Sequence, residues 1–384
     1  MRIAIVGMVL LVVGAIAAIT GVLPGSELAG LAARVVPILA FVVAVTIVAE
    51  LAAEAGLFRV LAHRLAALAR GRAIVLWLFV LVLAVASTIF LSLDTTAVLL
   101  TPIVVSLAAH ARISPIPFAL TTVWIANTGS LLLPVSNLTN LLAAEHLDLH
   151  PLQFAALTAA PAAAAIVVTA AIVFLTRPRQ LLARFEPEQA ERPDDPVLFW
   201  VAAATVVSLV PALVSGVEVW IPASIAAAVL LVAFAIRRPA VLRPGLVPLP
   251  LVLFASGLFV SVEALHAANV TDVLAVVAGT GSSPLDLLRL AGVGAASANA
   301  INNLPAYLAL EPFAADPIRL IALLIGVNAG AIITPWGSLA TLLWHSRLTS
   351  MGVEISWPRF MLLGLLAAPL TVTAATFALA WSAT

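Results

Sequence analysis

Asp94 stands alone in its part of the chain. No other Asp or Glu occurs between Glu54 and Glu145, and the surrounding run, Phe90-Leu91-Ser92-Leu93-Asp94-Thr95-Thr96-Ala97-Val98-Leu99, is mostly apolar. An acid in such a run is costly and functional by default. With Thr95 beside it, it can carry a proton through an apolar layer. A second reading makes Asp94 the cap of a helix over 95–110, a role that suits aspartate. Two further stretches place amides, hydroxyls, Gly and Pro together. One is Asn127-Thr128-Gly129-Ser130 followed by Pro134 and Asn137, and the other is Asn328-Ala329-Gly330 followed by Thr334, Pro335 and Ser338. Asn302-Asn303-Leu304-Pro305 forms a third polar island. Such groups recognise a solute through hydrogen bonds. No His, Cys or carboxylate cluster has metal-ligand spacing, and no cofactor is expected.

The elements that position these residues must lie in a membrane. The chain has 384 residues, 63% hydrophobic and 9% charged, with a mean hydropathy of +1.19. Soluble domains carry about 25% charged residues. The 18 basic residues are all Arg, they balance 18 acids, and Cys is absent. There is no basic surface for nucleic acid and no thiol chemistry. Runs of about 20 apolar residues fall at 3–22, 35–55, 152–176, 197–215, 220–236, 246–265 and 358–381. The first is read as a retained helix.

Arginines cluster at Arg59, Arg64, Arg70 and Arg72, again at Arg177, Arg179, Arg184 and Arg192, and at Arg237, Arg238 and Arg243. The positive-inside rule makes these segments, and the N-terminus, cytoplasmic. The bookkeeping closes only if 73–111 enters and leaves from the cytoplasmic side and 284–316 from the outside. Both are therefore expected to be re-entrant hairpins, beside about nine full crossings. Segment 56–70 reads as an interfacial amphipathic helix.

Residues 177–196 form the only long polar stretch and divide the chain into halves, 1–176 and 197–384. The Asn-x-Gly motifs align without a gap at a displacement of 201 residues. Asp94-Thr95-Thr96-Ala97 pairs with Asn303-Leu304-Pro305-Ala306, and Glu50, six before Gly56, pairs with Glu263, six before Asn269. Collinear matches in halves that start on opposite sides give an all-α polytopic protein of two inverted repeats, each with a hairpin and a broken helix, the plan of secondary transporters. The broken helices are expected at about 117–147 and 319–346. Irregular backbone at membrane depth survives only where it lines a cavity or is buried in protein. Asn127 and Asn328 read as a shared pocket or as inter-helix glue.

A primary pump or an enzyme is not expected, because the chain has no phosphate loop, Gly-x-Ser-x-Gly or His-Glu-x-x-His motif. An uncoupled channel component is the rival class.

Phe90–Pro102, Ala126–Ser130 and Pro134–Asn140 resemble the bacterial arsenite permease, the membrane subunit of arsenical pumps in the ion transporter superfamily. Ile301-Asn302-Asn303-Leu304-Pro305 and Ile333–Trp344 continue the likeness. The resemblance implies export of arsenite, and often antimonite, across the bacterial cytoplasmic membrane, and in some members a homodimer or a soluble ATPase partner. With no Cys, arsenite would be recognised as its neutral hydroxide. Asp94 and Thr95 would then couple protons, and Asn127, Thr128, Gly129, Asn137, Asn303, Asn328, Gly330, Thr334 and Ser338 would hold the solute. Carboxylate transporters of the superfamily carry Ser-Asn-Thr at the hairpin tips, where this chain has Leu93-Asp94-Thr95 and Asn302-Asn303-Leu304. A sodium-coupled anion transporter or Na+/H+ antiporter is the alternative.

Overall fold

A computed structural model describes residues 2–186, 192–268, 273–314 and 316–383. Asn269, half of one repeat match, lies outside the described residues, as does 187–191 of the polar linker. The first half contains α1 (Arg2–Ile19), α2 (Gly25–Glu54), α3 (Leu57–Leu68), α4 (Ala73–Leu91), α5 (Leu93–His110), α6 (Ile116–Thr128), α7 (Leu138–His146) and α8 (Pro151–Thr176). The second contains α9 (Pro196–Leu213), α10 (Trp220–Arg237), α11 (Leu249–Ala267), α12 (Pro284–Ile301), α13 (Asn303–Leu310), α14 (Pro317–Ala329), α15 (Leu339–Ser350) and α16 (Trp357–Ser382). Eight of the described helices are long and apolar enough to cross a membrane.

Local chemistry sets the boundaries. α8 starts with Pro151 behind a His150–Gln153 capping box, and Asp195 caps α9 by accepting from the N–H groups of Val197 and Leu198. Asp195 also accepts from Arg237 Nε at 2.8 Å, which joins the start of α9 to the end of α10. That hydrogen bond, with the two N–H groups, holds the Asp195 carboxyl below its usual range. The sequence reading starts the second span at 35. The structure starts α2 at Gly25, behind Pro24, since Arg34 is neutralised by carboxylates from other helices. α1 packs along α11 in close approach: a Cβ on Gly7 would meet the Leu253 backbone, and one on Gly14 would meet Val260.

Helix direction is fixed by two hollows at opposite ends of the molecule. α2 supplies Leu31 and Arg34 to one and Ala49 and Glu50 to the other. α11 supplies Leu251 to the second and Glu263 and His266 to the first, so it runs opposite to α2. α7 ends near the first hollow at His146, while α15 ends near the second at Arg347 and Ser350. Matching elements of the two halves therefore run in opposite directions, an inverted repeat.

The breaks follow the same rule. α4 begins at the linker, where the Ala73 N–H donates to the Ala183 carbonyl at 3.1 Å. α5 returns to that side, reaching Ile103 in a hollow shared with Arg238 and Arg243. α12 and α13 form the opposed hairpin: Ser282 donates to Asp316 ahead of α12 at 3.2 Å, and α13 leads into Glu311 beside Arg34. At the end of the first hollow the arginines are Arg34, Arg289 and Arg319, each held by internal acceptors. The arginine clusters of the linker and the short loops occupy the end of the second hollow.

α14 ends in a wide turn over Ile325–Ala329, an irregularity that often marks functional helices. Gly326 permits it: a Cβ there would strike the Ala291 backbone of α12. Gly326→Ala is expected to force α12 and α14 apart and cost about 1–3 kcal/mol. Thermal unfolding in detergent checks this, and an unchanged midpoint would contradict such close packing.

Candidate functional site

Four helix starts converge on one cavity of about 70 Å³ at the centre of the fold. α5 contributes Ser92 and Asp94, α7 contributes Asn137 and Leu138, α13 contributes Asn302 and Asn303, and α15 contributes Ser338 and Leu339. A helix start carries unbonded N–H groups and about half a positive charge. The cavity is thus surrounded by donors before any side chain is counted.

The two hairpin tips share one rare backbone conformation. Ser92 has φ 104° and ψ 160°, and Asn302 has φ 96° and ψ 153°. Each costs on the order of 1–3 kcal/mol and persists only where neighbours enforce it. Ser92 Oγ accepts from the Thr95 N–H at 3.4 Å. Asn302 accepts from the Leu304 N–H at 3.3 Å and donates to the Trp336 carbonyl at 2.9 Å. The cap of α5 is therefore Ser92, not Asp94. The shared geometry also corrects the repeat alignment by one residue: Ser92 answers Asn302, so Asp94 answers Leu304 and Asn303 answers Leu93. The Asp94 carboxyl has no counterpart in the second half.

Three side chains at the cavity keep unused hydrogen-bonding capacity. Asp94 makes no hydrogen bond or ion pair among the described residues. Ser338 Oγ is fully buried without a partner. Asn303 accepts from the Leu304 N–H at 2.9 Å, which leaves its amide nitrogen free among the described residues. Unsatisfied groups of this kind are rare in packed protein, and these three line the same hollow.

Behind them lies a saturated layer. Asn328 Oδ1 accepts from Asn137 Nδ2 and from the Thr139 hydroxyl, both at 2.9 Å. Its Nδ2 donates to Asn140 Oδ1 at 2.9 Å. Asn140 donates in turn to the Ser130 and Leu133 carbonyls, the orphaned acceptors of the first break. Asn299 does the same in the second half. It donates to the Gly330 carbonyl at 2.7 Å and accepts from the Ile333 and Thr334 N–H groups at 3.1 and 2.9 Å.

The sequence-predicted residues thus separate into layers. Asp94, Asn137, Asn303 and Ser338 line the cavity, while Thr95 lines the adjoining hollow. Asn328 lies one layer behind. Thr334 is tied to Asn299, and Gly330 packs against Ala295. Asn127 and Thr128 are fully buried and donate to Val123 and Trp124 carbonyls of their own helix. Gly129 packs against Ile125. None of Asn127, Thr128, Gly129, Asn328, Gly330 or Thr334 is among the cavity-lining residues. The site residues chosen from the sequence leave out Ser92, Asn302, Asn140 and Asn299, although all four stand in the polar motifs at the tips and breaks.

The cavity adjoins a hollow on the arginine-rich side. It shares Thr46, Ser92, Asp94, Leu251 and Leu339 with a hollow of about 440 Å³. That hollow contains Glu50 and Arg347, and it adjoins one holding Arg238 and Arg243. On the other side an ion-pair cluster lies at the hollow that holds His146 and Glu263. Arg34 of α2 donates to Glu145 at 2.5 Å and to Glu311 at 2.6 Å, and Glu311 also accepts from the Tyr307 hydroxyl at 3.0 Å. These contacts clamp α2 to α7 and to the end of α13.

Opposed repeats and broken helices at one polar cavity define a secondary-transporter fold. The chain belongs to the citrate transporter family (CitMHS), whose profile covers residues 2–318. It is 29% identical to the arsenical pump membrane protein of Yersinia enterocolitica over 370 residues, 89% of this chain and 86% of that one. It is 28% identical to the protein of that name from Escherichia coli K12, over 84% of this chain and 81% of the relative. These relatives bear out the resemblance read from the motifs. The fold is similar to the YdaH transporter of Alcanivorax borkumensis, with a TM-score of 0.57 and 18% identity over 99% of this chain and 97% of that one. The chain is a multi-pass bacterial membrane transport protein.

Proposed function

We propose that this protein exports arsenite, and antimonite with it, as the neutral trihydroxide in exchange for protons. The observation that carries the reading is the single unpartnered carboxyl of Asp94 within a cavity built from four helix starts. The hydroxyl oxygens of the solute accept from backbone N–H groups, Ser338 and Asn303. A solute hydroxyl donates to ionised Asp94. A proton on Asp94 removes the charge and turns one carboxylate oxygen into a donor, so protonation weakens the site for the solute hydroxyl, as exchange requires. The arsenical pump relatives support the substrate class, and size agrees. A volume of about 70 Å³ accommodates roughly five water-sized groups, enough for trihydroxyarsenic.

Asn328, Thr334 and Gly330 then act by holding the two breaks open, and Thr95 by fixing the tip. The arginine-rich side is cytoplasmic by the positive-inside rule, which makes this the inward-facing state, with the N-terminus inside. Expression in an arsenite-sensitive bacterium lacking its own efflux should restore growth on arsenite independently of external sodium. Growth without protection, together with sodium-dependent movement of another solute, would favour the sodium-coupled alternative.

The Arg34–Glu145–Glu311 cluster is the outer closure in this scheme. Removing Arg34 leaves Glu311, 5% exposed, without its cation, at a cost of a few kcal/mol to the closed state. Arg34→Ala should therefore raise outside labelling of a single Leu308→Cys probe severalfold, and the native chain contains no Cys to interfere. Unchanged labelling would remove the cluster from the closure.

A further inference from the structure

A second polar hollow, of about 420 Å³, lies away from the transport path at the arginine-rich end of α8, α15 and α16. Arg177 follows the last residue of α8, and Arg359 sits in the first turn of α16. Packing of α8 against α16 brings the two cations to one cavity. Neither makes an ion pair among the described residues. Arg177 Nε is buried without a hydrogen-bond partner. Burial, and then the neighbouring Arg359, lower the Arg177 pKa from its ordinary value. Two guanidiniums at one cavity, one of them with a buried unpartnered donor, make a setting suited to an anion.

The rest of the lining agrees. Ser356 precedes α16 without capping it, which leaves the first N–H groups of a 26-residue helix open to an anion. His345 stacks on Trp357 with ring centroids 3.9 Å apart. The single carboxylate in the lining, Glu354, is exposed. Leu175 and Leu362, two and three residues from the arginines along their helices, are 71% and 70% exposed. Such leucines on membrane helices face acyl chains. A tryptophan at the polar boundary is the usual interfacial anchor.

We propose that this hollow binds the phosphate of an anionic phospholipid, with Arg177 and Arg359 as ligands and the acyl chains along the exposed faces of α8 and α16. Basic pockets between helices on the cytoplasmic side are suited to such headgroups. The shared chemistry is a phosphate oxyanion, and the apolar flanks select a lipid over free phosphate.

The test uses the full-length protein in detergent, with lipid retention measured by native mass spectrometry. Phosphatidylglycerol should bind the native protein about thirtyfold more tightly than it binds the Arg177→Gln/Arg359→Gln double variant, and phosphatidylcholine should not discriminate between them. Phosphatidylglycerol retention unchanged in the double variant would overturn the proposal. Millimolar inorganic phosphate displacing the lipid and occupying the site equally well would overturn the lipid as its source. Should the double variant fail to fold, hydrogen exchange on the native protein decides. Phosphatidylglycerol, and not phosphatidylcholine, should protect residues 354–361, and equal protection by both would count against the site.

Discussion

Asp94→Asn is expected to abolish arsenite accumulation against a gradient while leaving the protein folded and able to equilibrate arsenite. The amide nearly matches the carboxyl in shape, and Asp94 makes no contact within the described structure whose loss would unfold the tip. What disappears is the exchangeable proton. One charge moving through 100 mV is worth about 2.3 kcal/mol, which supports roughly fiftyfold accumulation of a neutral solute per proton. The variant should show an accumulation ratio near one. In inside-out vesicles carrying an imposed potential, a variant that still concentrates arsenite would move the coupling role elsewhere. Glu50 would then be the first group to test, since it faces the same hollow.

Asn328→Leu should have the largest effect on stability. The substitution removes three buried hydrogen bonds at once and strands Asn137, the Thr139 hydroxyl and the Asn140 carbonyl. Each abandoned polar group costs about 1–3 kcal/mol, at the lower end for helices in membranes. Asn140 also satisfies the carbonyls of the first break, so the start of α7 should lose its place at the cavity. Transport should fall below detection, and the unfolding midpoint in detergent should drop by several degrees. A variant of normal stability and activity would show that the two repeats meet without this bridge.

Much of this architecture was legible in the residues because hydrocarbon penalises polarity so heavily. Asp94, Asn137, Asn303 and Ser338 stood out against apolar neighbours, and all four line the cavity. Arginine placement located the two opposed hairpins, since the loops are short and the charges few. Layering within the site was not legible. Asn127 and Asn328 occupy matching sequence positions, yet one bonds only within its own helix while the other bridges the repeats. That difference depends on which side chains oppose each Asn across a helix boundary, a fact of tertiary packing. The hairpin alignment slipped by one residue for a similar reason. Ser92 and Asn302 share a backbone conformation rather than a side-chain type, and composition carries no mark of it. The early start of α2 was not legible because the carboxylates that neutralise Arg34, Glu145 and Glu311, lie 111 and 277 residues away.

The central claim is that this cavity moves a neutral arsenic hydroxide against protons. Arsenite uptake into inside-out vesicles containing the native protein tests it most directly, energised in turn by a proton gradient and by a sodium gradient, with citrate as competitor. The account predicts uptake that requires the proton gradient, collapses with a protonophore, ignores sodium and is not inhibited by citrate. Absence of arsenite uptake, or sodium-driven uptake of citrate in its place, would contradict it.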